Sequence, residues 1–214
     1  AGWPLFAAAR PSAAHVALAR LERTGRIGPI VTQNVDRLHQ RAGSRNVTDL
    51  HGRLDVVRCL ASDHRFDRDE FQMRLRDANP DWDVSATRIA PDGDADLDGV
   101  DFSAFNVPAC EICGGILKPD VVFYGESVPR ETTAAALAAV ESADGVLVAG
   151  SSLMVWSSFR LVRAAVARGI EVAAVNRGRT RGDDLFAFKL DRECGAVLAA
   201  VAGGAEAVPA HGLP

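Results

Sequence analysis

Apolar residues recur along this chain with two periods, and the switches between them mark its elements. Ala14, Leu18 and Leu21 fall on one helical face between Ser12, which suits an N-cap, and Gly25, which suits a helix stop. Pro29 to Thr32 is a short apolar run that reads as a buried strand and enters the polar loop Gln33-Asn34-Val35-Asp36. A short helix ending near Gly43 and a strand over Val47–Leu50 follow, with His51-Gly52 just past that strand. The second half repeats the rhythm. Strands are expected at Val121–Tyr124, Gly145–Ala149, Ile170–Val175 and about Phe186–Leu190. Helices are expected at Arg130–Ala143, at Ser157–Arg168 with Phe159, Val162 and Val166 on one face, and from Cys194 onward. Continuously apolar strands alternating with helices predict an α/β fold, its parallel sheet covered on both faces.

Residues 53–120 break the rhythm. This stretch holds three of the four cysteines, Pro80, and the acidic run Pro91-Asp92-Gly93-Asp94-Ala95-Asp96-Leu97-Asp98. It reads as a small inserted module with long loops, between residues 1–52 and 121–214 of the main domain. The acidic run lacks the closing glutamate of an EF-hand, which favours a solvated loop over a calcium site.

Composition narrows the classes. A net charge of −4 gives no electrostatic reason for nucleic acid or an anionic membrane as partner. No run of about 18 apolar residues is present, so no membrane helix is expected, and no secretory leader is visible. Cys59, Cys110, Cys113 and Cys194 are too few and too unevenly spaced for a disulfide framework. A reducing compartment is expected, the bacterial cytoplasm or a mitochondrial matrix, and a monomer.

In open parallel sheets, ligands sit at the carboxyl ends of the strands. Four polar clusters fall there: Gln33-Asn34-Val35-Asp36, His51-Gly52, Gly150-Ser151-Ser152 and Asn176. Strand ends are polar in any fold, so each cluster alone says little. Four together argue for a nucleotide site, because glycine and serine let backbone N–H groups and hydroxyls approach a sugar or phosphate.

These clusters also form a recognisable series. Thr32-Gln33-Asn34-Val35-Asp36, Leu50-His51-Gly52, Cys110-x-x-Cys113, Lys118-Pro119-Asp120-Val121-Val122-Phe123-Tyr124-Gly125-Glu126, Gly150-Ser151-Ser152 and Val175-Asn176 occur in this order. Their order and spacing resemble the sirtuins, NAD-dependent protein-lysine deacylases, over essentially the whole chain. The long cysteine gap, the Pro91–Asp94 stretch and Thr180-Arg181-x-Asp183-Asp184 look most like the class II, mitochondrial-type branch and its bacterial relatives. Sirtuins begin with a strand and a Gly-Ala-Gly-Ile-Ser cofactor loop. Here Arg10-Pro11-Ser12-Ala13-Ala14-His15 resembles the helix entry that follows that loop. The resemblance therefore implies that the first strand and the cofactor loop are absent from this chain, and that the chain as given turns over NAD poorly.

What the resemblance implies can be carried over residue by residue. The fold would be a Rossmann-like parallel sheet with a small inserted zinc-binding module. The acyl-lysine amide oxygen would attack the nicotinamide ribose carbon and nicotinamide would leave; His51 would then be the general base for the ribose hydroxyls, so that the acyl group moves onto ADP-ribose. A lone histidine more often caps a strand or satisfies a buried carbonyl, the reading adopted for His15, His64 and His211; the Leu-His-Gly context reverses that for His51. Asn34 and Asp36 would line the nicotinamide pocket and Gln33 would contact the ribose. The alternative for these three is loop residues bonding their own backbone. Gly150, Ser151 and Ser152 would bind the adenosine side, Asn176 its ribose, and Cys194 with Gly195 the adenine, with no redox role for the thiol. Val122, Phe123, Gly125 and Glu126 would take an extended acyl-lysine protein substrate as an added strand. The alternative is an ordinary buried strand. Trp3 and Trp82 read as packing residues, and Trp156 as packing or a substrate contact.

Sirtuins hold a structural zinc with two Cys-x-x-Cys pairs. Here Cys110 and Cys113 form one pair, but Cys59 is followed three residues on by Ser62. A neutral hydroxyl is a poor zinc ligand. His64 is the substitute expected on ligand type, and weak zinc binding is expected, with loss of zinc as the alternative. Two other functions stay open at this point: a protein ADP-ribosyltransferase, and an inactive sirtuin-derived binding fragment.

Overall fold

Ser12 closes a capping box. Its backbone N–H donates to His15 Nδ1, its hydroxyl lies 2.7 Å from the same atom, and the helix it starts runs Ala13–Arg23. His15 thus bonds the N-cap of a helix, where the sequence reading has it cap a strand or meet a buried carbonyl. The structure, a computed structural model, describes residues 2–82 and 100–204. The acidic run Pro91–Asp98 and His211 lie outside the described residues.

In chain order the elements are α1 (Trp3–Ala8), α2 (Ala13–Arg23), β1 (Ile30–Thr32), α3 (Leu38–Arg41), β2 (Val47–Asp49), β3 (Gly52–Cys59), β4 (Arg65–Asp67) and α4 (Arg68–Asp77). Then come β5 (Leu117–Val121), α5 (Arg130–Glu141), β6 (Gly145–Ala149), α6 (Trp156–Ala167), β7 (Glu171–Val175), a 3₁₀ turn at Asp183–Leu185, β8 (Phe188–Leu190) and α7 (Cys194–Gly204). The chain packs as two compact units. One contains 1–9, 34–37 and 51–124; the other contains 10–33, 38–50 and 125–214.

The second unit carries the parallel strands. β1 pairs with β2, and β6, β7 and β8 pair in that order. Ala149, Val175 and Leu190 stand in one row at the carboxyl end of the trio. Beneath them Leu50, Ala136, Val140, Val148, Leu161, Val162, Ala165, Val172 and Ala174 form the apolar core. Leu50 is only 1% exposed, which for a leucine is worth about 1.5–3 kcal/mol of burial. α2 and α7 pack through Ala17, Leu21, Leu198 and Ala202. On α6 the buried face runs through Ser158, Leu161, Val162 and Ala165, whereas Val166 is exposed.

The first unit is more regular than its sequence suggests. β3 stands between β4 and β5 in an antiparallel sheet. Val57, Cys59, Phe71, Cys110 and Leu117 form its core. Asp67 caps α4 by accepting from the N–H groups of Asp69 and Glu70. The charged α4 buries only Phe71, so its apolar period is nearly silent. Trp3 donates to Asp69 and lies under Arg68; Trp82 stacks on Phe102 and meets Phe105 edge-on. Both tryptophans are packing residues, as read.

One expected element is corrected. Residues 121–124 are not a buried strand of the parallel sheet. The strand is Leu117–Val121, and it runs antiparallel to β3. Pairing ends with one further bond, from Val122 N–H to the His51 carbonyl. Phe123 is then 48% exposed and Tyr124 97% exposed. Gly125, at φ 88°, turns the chain. An apolar run names neither its partner nor its direction, which is why the pattern misplaced it.

Candidate active site and metal centre

In the second unit the expected cofactor residues gather where the strands end. Gly150 N–H donates to Val175 O, and Asn176 N–H to Leu190 O, so the two loops leave the sheet in register. Gly150 turns at φ 63°. A side chain there would meet Cys194 Sγ at 3.1 Å, which places Cys194 against the glycine. Ser151 donates its hydroxyl to Gln33 Oε1 at 2.9 Å and accepts from Leu153 N–H. The structure thus joins the loop after β1 to the loop after β6. Burial, then the Glu193 carboxylate, push the Cys194 thiol up. Glu193 itself accepts from Gly195 and Ala196 N–H at the start of α7.

The Thr180-Arg181-x-Asp183-Asp184 segment forms a lock at these loops, completed by Lys189, which no motif had marked. Lys189 Nζ donates to Gly178 O and to Asp183 Oδ1, each at 2.7 Å. Asp183 also accepts from Thr180 N–H and hydroxyl. The same segment supports the serine loop, because Arg181 donates to Ser152 O and Met154 O. Trp156, 50% exposed, lies against the guanidinium groups of Arg163 and Arg181. The Lys189 bond, then Thr180, holds Asp183 down at about 2 from its usual 3.8. A depressed carboxylate lends stability above its unfolded value, and that stability fades as pH falls from about 4 through 2. Lys189→Met is therefore expected to lower the melting temperature at pH 5, with the difference closing toward pH 2. NAD titrations should show weaker binding by several-fold, because the loop under Ser152 loosens.

Asn34, Asp36 and His51 belong to the first unit, where backbone bonds tie Val35 to β3 and His51 to the residue after β5. Val35 O accepts from Leu54 N–H, and His51 O from Val122 N–H. His51 is half-buried. Gly52, at φ 83°, passes so close to β5 that an added Cβ would lie 2.1 Å from Asp120 O. The glycine after His51 is thus required by backbone contact. Gly52→Ala is expected to cost about 2 kcal/mol or more by combined strain and clash, read as a lower denaturation midpoint. Arg37, at φ 61°, and Arg53 both draw down the Asp55 carboxyl, against the opposing effect of its burial; Arg53 does so through a two-bond pairing at 2.6 Å.

The same unit holds the metal centre. One ligand atom each from Cys59, His64, Cys110 and Cys113 all lie within 4.8 Å of one another. Cys59 Sγ is 3.5 Å from Cys113 Sγ, and His64 Nδ1 is 3.4 Å from Cys110 Sγ. A tetrahedral zinc with bonds of about 2.3 Å needs ligands about 3.8 Å apart, so the four fit. Two tight turns present them. Cys59 N–H donates to His64 O; Gly114 N–H donates to Cys110 O, and Cys110 N–H to Gly115 O. Gly115 leaves room for the sulfur, since a Cβ there would lie 2.7 Å from Cys59 Sγ. Ser62 hydroxyl sits 2.7 Å from His64 Nδ1 and 3.7 Å from Cys113 Sγ. Its hydrogen bond leads the effects that draw Cys59 down to about 7, within reach of the thiolate that zinc requires. The fourth atom gathered with the three sulfurs is thus from His64, the substitute expected on ligand type.

Comparison with known proteins agrees with this arrangement. Residues 3–157 match the Sir2 family model. The NAD-dependent protein deacetylase of Bordetella bronchiseptica is 58% identical over 200 residues, covering 94% of this chain and 73% of that protein. NAD-dependent protein deacetylase 2 of Bradyrhizobium diazoefficiens is 59% identical, covering 92% of this chain and 72% of its own. A solved structure of Sir2 with a p53 peptide and NAD+ superposes with a TM-score of 0.75 at 30% identity, over 94% of this chain and 72% of that one. With the strand-end loops, the Leu-His-Gly turn and the Cys/His centre all in place, the chain belongs to the Sir2 family.

Proposed function

We propose that this protein removes acetyl groups from protein lysines in an NAD-dependent reaction. The observation that carries the reading is the Ser151–Gln33 bond, which fixes two strand-end loops as one polar surface of hydroxyl, amide and backbone groups. Such a surface offers both donors and acceptors to a sugar. Bound NAD would supply an electrophilic ribose carbon for attack by the acyl-amide oxygen, with nicotinamide as the leaving group.

The chain's own residues divide the remaining tasks. Gly150, Ser151, Ser152 and Asn176 hold the adenosine half, with Cys194 packed behind Gly150 as a neutral contact to the base. Gln33 bonds the nicotinamide ribose, and Asn34 and Asp36 orient the carboxamide. His51 accepts a proton from a ribose hydroxyl at its imidazole nitrogen. Val122, Phe123, Gly125 and Glu126 receive the acyl-lysine segment in extended form. β5 is an edge strand of its sheet, which suits main-chain pairing with little sequence selectivity. Zinc, held by Cys59, His64, Cys110 and Cys113, is structural: four protein ligands leave no open position for chemistry. No helix among the described residues is long and apolar enough to cross a membrane. We place the protein in the bacterial cytoplasm as a monomer with acylated proteins as partners and no nucleic acid or membrane partner.

The test is incubation with an acetyl-lysine peptide and NAD. Nicotinamide release in step with deacetylated peptide and acetyl-ADP-ribose is the expected result. ADP-ribose attached to an acceptor protein without deacetylation would establish the transferase reading, and no turnover would establish the inactive one.

A further inference from the structure

Of the 24 basic residues only Lys118 and Lys189 are lysines. Lys189 belongs to the lock under the serine loop. Lys118 does something else. It lies on β5 two residues from Asp120, which is engaged by Arg58 at 3.7 Å and Arg65 at 3.6 Å. The Lys118 ammonium stands over the ring of Phe123, 4.7 Å from its centroid. That ring is half-exposed and is followed by the fully exposed Tyr124 and the turning Gly125, so the backbone beyond β5 gives it little cover.

We propose that Lys118 is a positioning residue for the substrate: its cation–π contact fixes the Phe123 ring in the orientation that receives the acyl-lysine side chain. The inference rests on the reading that Val122–Glu126 takes the substrate. A ring free to swing among rotamers must be ordered each time a substrate binds, and that entropy cost weakens binding without touching the chemistry. An ammonium held over the face orders the ring beforehand. The charge is essential, because the attraction is to the negative face of the ring. A contact of this kind at an exposed ring is worth about two- to fivefold in binding.

The experiment is steady-state kinetics on an acetyl-lysine peptide at saturating NAD, with Lys118→Met, Lys118→Arg, Phe123→Ala and the Lys118→Met/Phe123→Ala pair. Lys118→Met is expected to raise the peptide KM about two- to fivefold, leaving kcat and the KM for NAD within error. Lys118→Arg keeps a cation over the ring and should restore the peptide KM. In the Phe123→Ala background, Lys118→Met should add nothing. An unchanged peptide KM in Lys118→Met, with a raised one in Phe123→Ala, overturns the positioning role alone. An unchanged peptide KM in Phe123→Ala overturns the substrate reading beneath it. A rise in both KM values with a lowered melting temperature would mark Lys118 as a structural residue and also overturn the proposal.

Discussion

His51→Ala is expected to slow deacetylation of an acetyl-lysine peptide about a hundredfold or more, the usual cost of losing a general base. The loss should lie in kcat. His51 is half-buried and leaves the chain just before Gly52, whose approach to Asp120 is a backbone matter. Truncating the imidazole therefore leaves the β3–β5 pairing intact, and the melting temperature should hold. NAD affinity should hold too, since Gln33, Gly150 and Ser151 lie in the other unit. Assay of peptide product and nicotinamide at saturating substrates checks this. Near wild-type turnover by His51→Ala would remove the residue from the mechanism.

The second large effect is expected at the metal centre. His64→Ala should drop zinc content from one per chain to well below one, and lower the melting temperature by several degrees. Three thiolates remain in that variant, but the closed tetrahedral set becomes an open one. The effect spreads because Cys59 and Cys110 belong to the same core as Val57, Phe71 and Leu117. Metal binding is coupled to folding of this unit. A strong chelator on the unsubstituted protein should reproduce the shift. Ser62→Cys in the His64→Ala background should reverse it, because residue 62 already lies 3.7 Å from Cys113 Sγ. Metal analysis and thermal melts together decide the matter: one tightly held zinc in His64→Ala, with an unchanged melt, would exclude the histidine as a ligand. One full zinc per chain in the unsubstituted protein would overturn the weak binding expected from Ser62; a substoichiometric content would bear it out.

The order of the parallel strands and helices of the second unit was legible in the sequence, and so was the position of each strand-end loop. β6 is a run of five residues flanked by glycine, and glycine and serine punctuate its end; such signals are local. A local signal also marked Ser12 as a cap, whereas Cys110–Cys113 was half of a metal site only by the family resemblance. The strands and helix of the first unit were not legible. α4 buries a single residue, and β3 shows its inward alternation only at Val57 and Cys59, so neither carries enough apolar period to be read. The run Val121–Tyr124 is apolar enough for a core strand, yet whether it joined a parallel or an antiparallel sheet depended on where Gly52 let Asp120 approach. Lys189 as the partner of Asp183 and the Lys118–Phe123 contact were decided by tertiary structure alone, as was the gathering of His64, a candidate on ligand type, with the three cysteines. Each joins groups whose chemistry permits many partners. Only the folded backbone brings one of those partners within bonding distance.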